Sequence, residues 1–242
     1  MRNEKFLVAV FHGSPRKGNT YKAAKIFMDE LEKRSNVSFE EFFLPDAIPK
    51  FCTGCQLCLG GDRAFCPHAE FTDSIYAAIM SADALIFATP HWGASTISSP
   101  MKNLLDHLDF FTMTVAPRKE IFRKKAFIIA TGTGSTSAIS PIKKCLKNWG
   151  INRVNSLGIR MFTDKWDKMP PAKAQRLEKK LRKSANKLFY DAPRRPYLST
   201  IFMYHMSKII IKRYIGEDAY PYKYWMENNF FKSKPFYSEK HP

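Results

Sequence analysis

No stretch of this 242-residue sequence approaches the roughly 20 consecutive apolar residues that a membrane-crossing helix needs. Its first apolar run, Phe6 to Phe11, is only strand-length and enters a Gly-Ser-Pro turn, so no signal peptide is read and a cytoplasmic location is expected. Neither G-x-G-x-x-G nor G-x-x-x-x-G-K-[ST] occurs, which disfavours a dinucleotide Rossmann site and a P-loop. Internal repeats and low-complexity tracts are absent as well. Acidic residues are the minority, 22 Asp/Glu against 39 Lys/Arg, for a formal net charge of +17. The excess is uneven: residues 165–242 hold 18 Lys/Arg and 7 Asp/Glu. A basic tail attracts nucleic acid, anionic lipid or phosphate-rich ligands, or is simply a solvated face.

What is present is an alternation. Phe6-Leu-Val-Ala-Val-Phe11, Val37 to Phe43, Ala84 to Ala88, Ala126 to Ala130 and Val154 to Met161 read as five strands, several of them continuous apolar runs of the kind buried on both faces. Helical patterns lie between them, opening at Asn19-Thr20, at Phe71, at Pro100 and near Ile142, and a Lys/Arg-rich helix follows from Pro171 to Tyr190. Strands alternating with helices predict an α/β fold, a doubly wound parallel sheet. The first domain is read as 1–192, with an irregular cysteine-bearing loop, 45–70, inserted. Residues 193–242 form a C-terminal helical and aromatic extension. Its Ser199 to Ile215 helix is apolar on a broad face, which implies packing on the domain or on a second subunit and hence a homo-oligomer such as a homodimer.

Three loops follow strands on one edge of such a sheet, where doubly wound folds bind ligands. The first, His12 to Thr20, runs into a helix whose free N–H groups and dipole suit a phosphate. Ser14, Asn19 and Thr20 add side-chain donors there, and Arg16 can add charge. The second loop, Thr89 to Ser95, sets Trp92 beside Gly93, a pairing suited to a flat aromatic ligand. The third, Thr131-Gly132-Thr133-Gly134, offers backbone N–H groups to polar ring atoms. The bland alternatives are a capped turn, a packed tryptophan and an ordinary strand-to-helix connection.

Gly13-Ser-Pro-Arg-Lys-Gly-Asn-Thr20, Thr89-Pro-His-Trp-Gly93 and Pro100-Met-Lys-Asn-Leu-Leu-Asp106, in this order, resemble the NADPH-dependent FMN reductase and iron–sulfur flavoprotein family of flavodoxin-like proteins. The resemblance spans roughly residues 5 to 162. It implies FMN, with its phosphate on Ser14 to Thr20 (Ser14, Arg16, Gly18, Asn19, Thr20) and its ring near Pro90, His91, Trp92, Gly93, Ala94 and Thr131, Gly132, Thr133, Gly134. NAD(P)H would supply hydride, and a quinone, nitro compound, flavin or protein would accept electrons. The family usually has Tyr where His91 stands and Arg where His107 stands. No catalytic acid or base is expected, since the hydride chemistry belongs to the flavin.

Of five cysteines, four crowd into Cys52-x2-Cys55-x2-Cys58-x7-Cys66. Such spacing in a reducing compartment points to a metal, a cluster or redox chemistry, or to thiols that merely fill a loop. The resemblance implies a [4Fe–4S] cluster and thus a second reading, an electron carrier between proteins. Zinc on the four thiols, or no metal, are the other possibilities. His68 is read as a surface residue and Cys145 as core. A third reading is a non-catalytic protein that binds through its basic C-terminal part. Nucleic acid and membrane partners are not expected.

Overall fold

The computed structural model describes residues 5–34, 36–93, 96–190 and 196–233. Ala94, the proposed domain boundary at 192/193 and the last nine residues lie outside them. The elements in chain order are β1 (Phe6–His12), α1 (Asn19–Glu32), β2 (Val37–Phe43), α2 (Leu44–Ala47), α3 (Leu57–Gly60), α4 (Ala69–Ser81), β3 (Ala84–Trp92), β4 (Thr96–Ile97), α5 (Ser99–His107), β5 (Lys125–Thr131), α6 (Ser135–Trp149), β6 (Arg153–Ile159), α7 (Pro171–Tyr190), α8 (Leu198–Tyr214) and α9 (Tyr220–Glu227).

Five strands form a parallel sheet in the order β2-β1-β3-β5-β6, and the two-residue β4 pairs antiparallel with the end of β3. The central strands are the apolar runs seen in the sequence. Residues alternate between two faces, so Ala9, Phe11, Leu85, Phe87, Ala126 and Ile128 join one core layer. Val8, Val10, Ile86, Ala88, Phe127 and Ile129 join the other. Helices α4, α5 and α6 cover the first face; α1 and α7 cover the second. Burial on both sides explains why these strands need no polar alternation.

The sequence reading differs from the structure at several edges. The helix expected from Ile142 begins at Ser135, with Pro141 inside it. The ring removes one backbone donor inside the helix. The stretch 45–70 contains two short helices and a 3-10 turn, Arg63–Phe65, rather than uniform loop. The aromatic tail, which has no clear period, folds its first residues as α9.

A third apolar cluster ties the extension to the sheet domain. Tyr204 and Ile211 of α8, Trp225 of α9, Phe230 and Phe231 pack with Met113 and Phe122. Trp225 Nε1 donates to Met113 O at 3.1 Å, and Tyr204 Oη donates to Phe230 O at 2.6 Å. The outward side of α8 stays exposed and apolar, with Leu198, Phe202, Ile209 and Tyr214 among the accessible side chains. No helix among the described residues is long and apolar enough to cross a membrane.

Candidate functional site

The carboxyl ends of β1, β3 and β5 meet beside β1, where the strand order reverses. An open cavity of about 770 Å³ sits there. Its wall takes in Ser14, Arg16, Gly18, Asn19 and Thr20 from the first loop, Pro90, His91 and Trp92 from the second, and Thr131 and Gly132 from the third. Ten of the sequence-read residues are thus brought together.

The first loop is shaped by packing beneath it. Gly13 N donates to Ala88 O at 2.8 Å, and Ser98 Oγ donates to Gly13 O at 2.6 Å. A Cβ on Gly13 would lie 2.7 Å from Ser98 Oγ, so only glycine lets the loop settle against the start of α5. Beyond it, Arg16 N donates to Ser14 Oγ at 3.2 Å. Gly18 caps α1 without any side-chain hydrogen bond, and nothing lies within 4 Å of where its Cβ would be. The amino end of a 14-residue helix therefore faces the cavity with unpaired N–H groups. Arg16 and Lys17 stand beside it, Arg16 with its guanidinium 5.9 Å from the Trp92 ring centre.

Two of the expected phosphate donors are engaged elsewhere. Thr20 Oγ1 shares a 2.6 Å hydrogen bond with Thr131 Oγ1 in the buried floor and so joins the first loop to the third. Asn19 Nδ2 donates to Thr163 O and Asp164 O, both at 3.1 Å. That amide holds the segment after β6, and Met161, Asp164 and Trp166 of this segment supply a further wall. The sequence reading missed this wall, because a turn following the last strand carries no motif. The Asp164 carboxyl is held below its ordinary range by a hydrogen bond from Lys168.

On the ring-facing side Trp92 is 61% exposed, an unusual state for so large an aromatic surface. His91 belongs to the cavity wall and also packs on the third loop. Its Nδ1 accepts from Gly134 N at 3.4 Å, and the ring fills the space a side chain on Gly134 would need. Gly132, at φ +128, turns the chain there. Gly93, Thr133 and Gly134 lie outside the cavity wall itself.

The cysteine loop sits at α5. Asn103 Oδ1 accepts from Cys52 N at 3.0 Å, and Asn103 Nδ2 donates to Lys50 O at 2.9 Å. Cys52, Cys55 and Cys66 all lie close enough to Cys58 to act on it. Burial first, then these three thiols, pushes Cys58 up to about 11. A cavity of about 270 Å³ lies between Cys52 and Cys58 and the carboxylates Asp106 and Asp109. His68 is half-buried rather than on open surface, and its Nδ1 lies 3.0 Å from Nε2 of the buried His107. Cys145 is half-buried against the core, where burial raises its thiol.

The strand order with a cavity at the carboxyl edge beside β1 defines a flavodoxin-like α/β protein. Solved structures share this fold. The apo form of an NADH:FMN oxidoreductase is 23% identical, with a TM-score of 0.54 over 77% of this chain and 92% of its own. An NAD(P)H:quinone oxidoreductase from Methanothermobacter marburgensis is 15% identical, with a TM-score of 0.59 over 77% and 98%. The chain belongs to the NADPH-dependent FMN reductase family, whose model matches residues 6–183. A curated relative, the iron-sulfur flavoprotein of Archaeoglobus fulgidus, is 30% identical over 95 residues, 39% of this chain and 45% of the relative. The match thus spans less than half of that relative's length.

Proposed function

We propose that this protein is an FMN-dependent oxidoreductase that takes hydride from NAD(P)H and passes electrons to a quinone, a nitro compound, a flavin or a protein. The observation carrying this reading is the uncapped amino end of α1, flanked by Arg16 and Lys17, in one cavity with the exposed face of Trp92. An anion and a flat ring joined by a short chain match that pair of features. FMN fits the cradle on chemistry: the phosphate meets backbone N–H groups and Arg16, and the ring meets Trp92 and the Thr131-Gly132 turn. Bound FMN supplies the hydride acceptance and electron release. The chain's own residues bind, orient and shield. Thr20 and Thr131 tie the two loops together, and Asn19 keeps the 163–164 segment against the cavity mouth.

The test separates phosphate recognition from ring recognition. FMN should quench tryptophan fluorescence at one equivalent per chain, and anaerobic NADPH or NADH should bleach the bound flavin. Arg16→Gln should weaken FMN by about 10-fold or more, the worth of one charge-assisted hydrogen bond. Riboflavin, which lacks the phosphate, should bind both proteins alike. Equal loss for both ligands, or no flavin uptake at all, would remove the reading.

A second reading, an iron–sulfur flavoprotein electron carrier, is favoured by the Cys52-x2-Cys55-x2-Cys58-x7-Cys66 spacing and by Cys52 and Cys58 lining one cavity. Cys52, Cys55, Cys58 and Cys66 would hold a [4Fe–4S] cluster, which supplies one-electron transfer. Four irons with sulfide per chain, after anaerobic purification, is its signature.

A further inference from the structure

We propose that Cys66, His68 and His107 form a binding site for a single divalent transition ion, zinc by preference, separate from the FMN cavity. It is independent of the reductase reading, and it competes with a four-thiol cluster for Cys66.

Among the described residues this is the one group of three Cys, His, Asp or Glu ligand atoms that all lie within 4.8 Å of one another. No three of the four cysteine sulfurs meet that limit, so the compact centre here is a mixed one. Its ligands come from two elements: Cys66 and His68 lie at the start of α4, and His107 is the last residue of α5. Thiolate sulfur and imidazole nitrogen are both donor types that zinc takes, and three of them leave a fourth tetrahedral position open.

The tautomer of His107 is already the one a metal requires. His107 Nδ1 lies 2.9 Å from Asn103 O, and a carbonyl only accepts, so Nδ1 carries the proton. The Nε2 lone pair therefore faces His68 and Cys66. A ligating histidine backed through its other nitrogen by a backbone carbonyl is the usual support for a metal. With no ion bound, the short contact is satisfied by His68 Nδ1–H donating to His107 Nε2 at 3.0 Å.

Two nitrogens on one tetrahedral zinc, each about 2.05 Å from it, lie about 3.3 Å apart. The observed pair needs to open by only a few tenths of an ångström. Binding would move the His68 proton from Nδ1 to Nε2 within the same ring and would displace one proton from the Cys66 thiol. Zinc uptake should therefore release one proton per ion near neutral pH. The fourth position is left to water or to a neighbouring group.

The experiment uses the full-length protein freed of metal by chelation, then titrated calorimetrically with Zn²⁺ in buffers of different ionisation enthalpy. Co²⁺ is added separately as a spectroscopic probe. Wild type should bind one Zn²⁺ and release one proton, and Co²⁺ should give the intense bands of a tetrahedral site with a thiolate ligand. Cys66→Ser and His107→Gln should each lose affinity by about 100-fold or more. His68→Ala should lose affinity by a similar factor, and metal-free His68→Ala should unfold only slightly earlier than wild type, since it loses the one hydrogen bond to His107. Cys55→Ser should bind as wild type does. Unaltered affinity in His68→Ala overturns the proposal. So does an anaerobic preparation holding four irons and sulfide in both wild type and His68→Ala, a result that would support the cluster. FMN binding is measured on the same samples, and its failure would count against the reductase reading alone.

Discussion

At the scale of the residue, the largest consequences come from polar groups that the core has accepted on strict terms. Lys124 is buried, and its Nζ donates to Met80 O at 2.8 Å and to Ala82 O at 2.6 Å, closing the carboxyl end of α4. Burial pulls its pKa down to about 8 from an ordinary 10.5. Below pH 8 the group is charged in both folded and unfolded chains. Between about pH 8 and 10.5 the unfolded chain keeps the proton that the folded chain has released. The folded state is therefore favoured progressively as pH rises through that window, by up to roughly 3 kcal/mol. Urea midpoints for wild type should exceed those of Lys124→Met by a growing margin from pH 7.5 to pH 10. Parallel curves would show that the lysine titrates normally. Nothing in the sequence marks this lysine among the 39 basic residues. Its role depends on the end of α4 lying some forty positions earlier in the chain.

At the scale of the element, α5 does two jobs, and only one of them was readable. Its apolar residues Met101, Leu104 and Leu105 pack into the core, as the pattern after Pro100 predicts. Its other side presents Asn103 and His107, one turn apart, to the cysteine loop. The partners of Asn103 are about fifty residues away in sequence, too distant for spacing to reveal. The strands stood out because continuous apolar runs have one physical explanation, burial on both faces. The cavity loops stood out because each follows such a strand on the same edge. The 161–167 wall did not, since its position depends on Asn19 reaching across to backbone carbonyls. If Asn103 is the clamp on the loop, Asn103→Leu removes its hydrogen bonds to Cys52 N–H and Lys50 C=O, a cost of about 1 kcal/mol for each at these partly exposed positions. Limited proteolysis should then cut within 50–66 several-fold faster, with α1 and β1 still protected. Unchanged cleavage there would mean that the loop is held by its other contacts.

At the scale of the whole molecule, the extension after α7 is an added layer with its own small core. The sequence foretold a helix and an aromatic tail but not where they attach. That depends on the segment 113–122, which joins α5 to β5 and offers Met113 and Phe122 as a seat. The seat is close to the cysteine loop, since Tyr220 Oη donates to Asp62 Oδ2 at 3.0 Å. Trp225 is the centre of this layer. It is fully buried, stacked on Tyr204 with ring centres 5.2 Å apart, and anchored through its indole to Met113 O. Trp225→Ala should cost about 3–5 kcal/mol, the range for removing a buried tryptophan. Because Met113 and Phe122 belong to a connection and not to the sheet, the loss should fall first on α8 and α9. Hydrogen exchange should rise across 198–231 while β1, β3 and β5 keep their protection, and FMN binding should survive. Equal deprotection of those strands would instead make the extension an integral part of the cooperative fold.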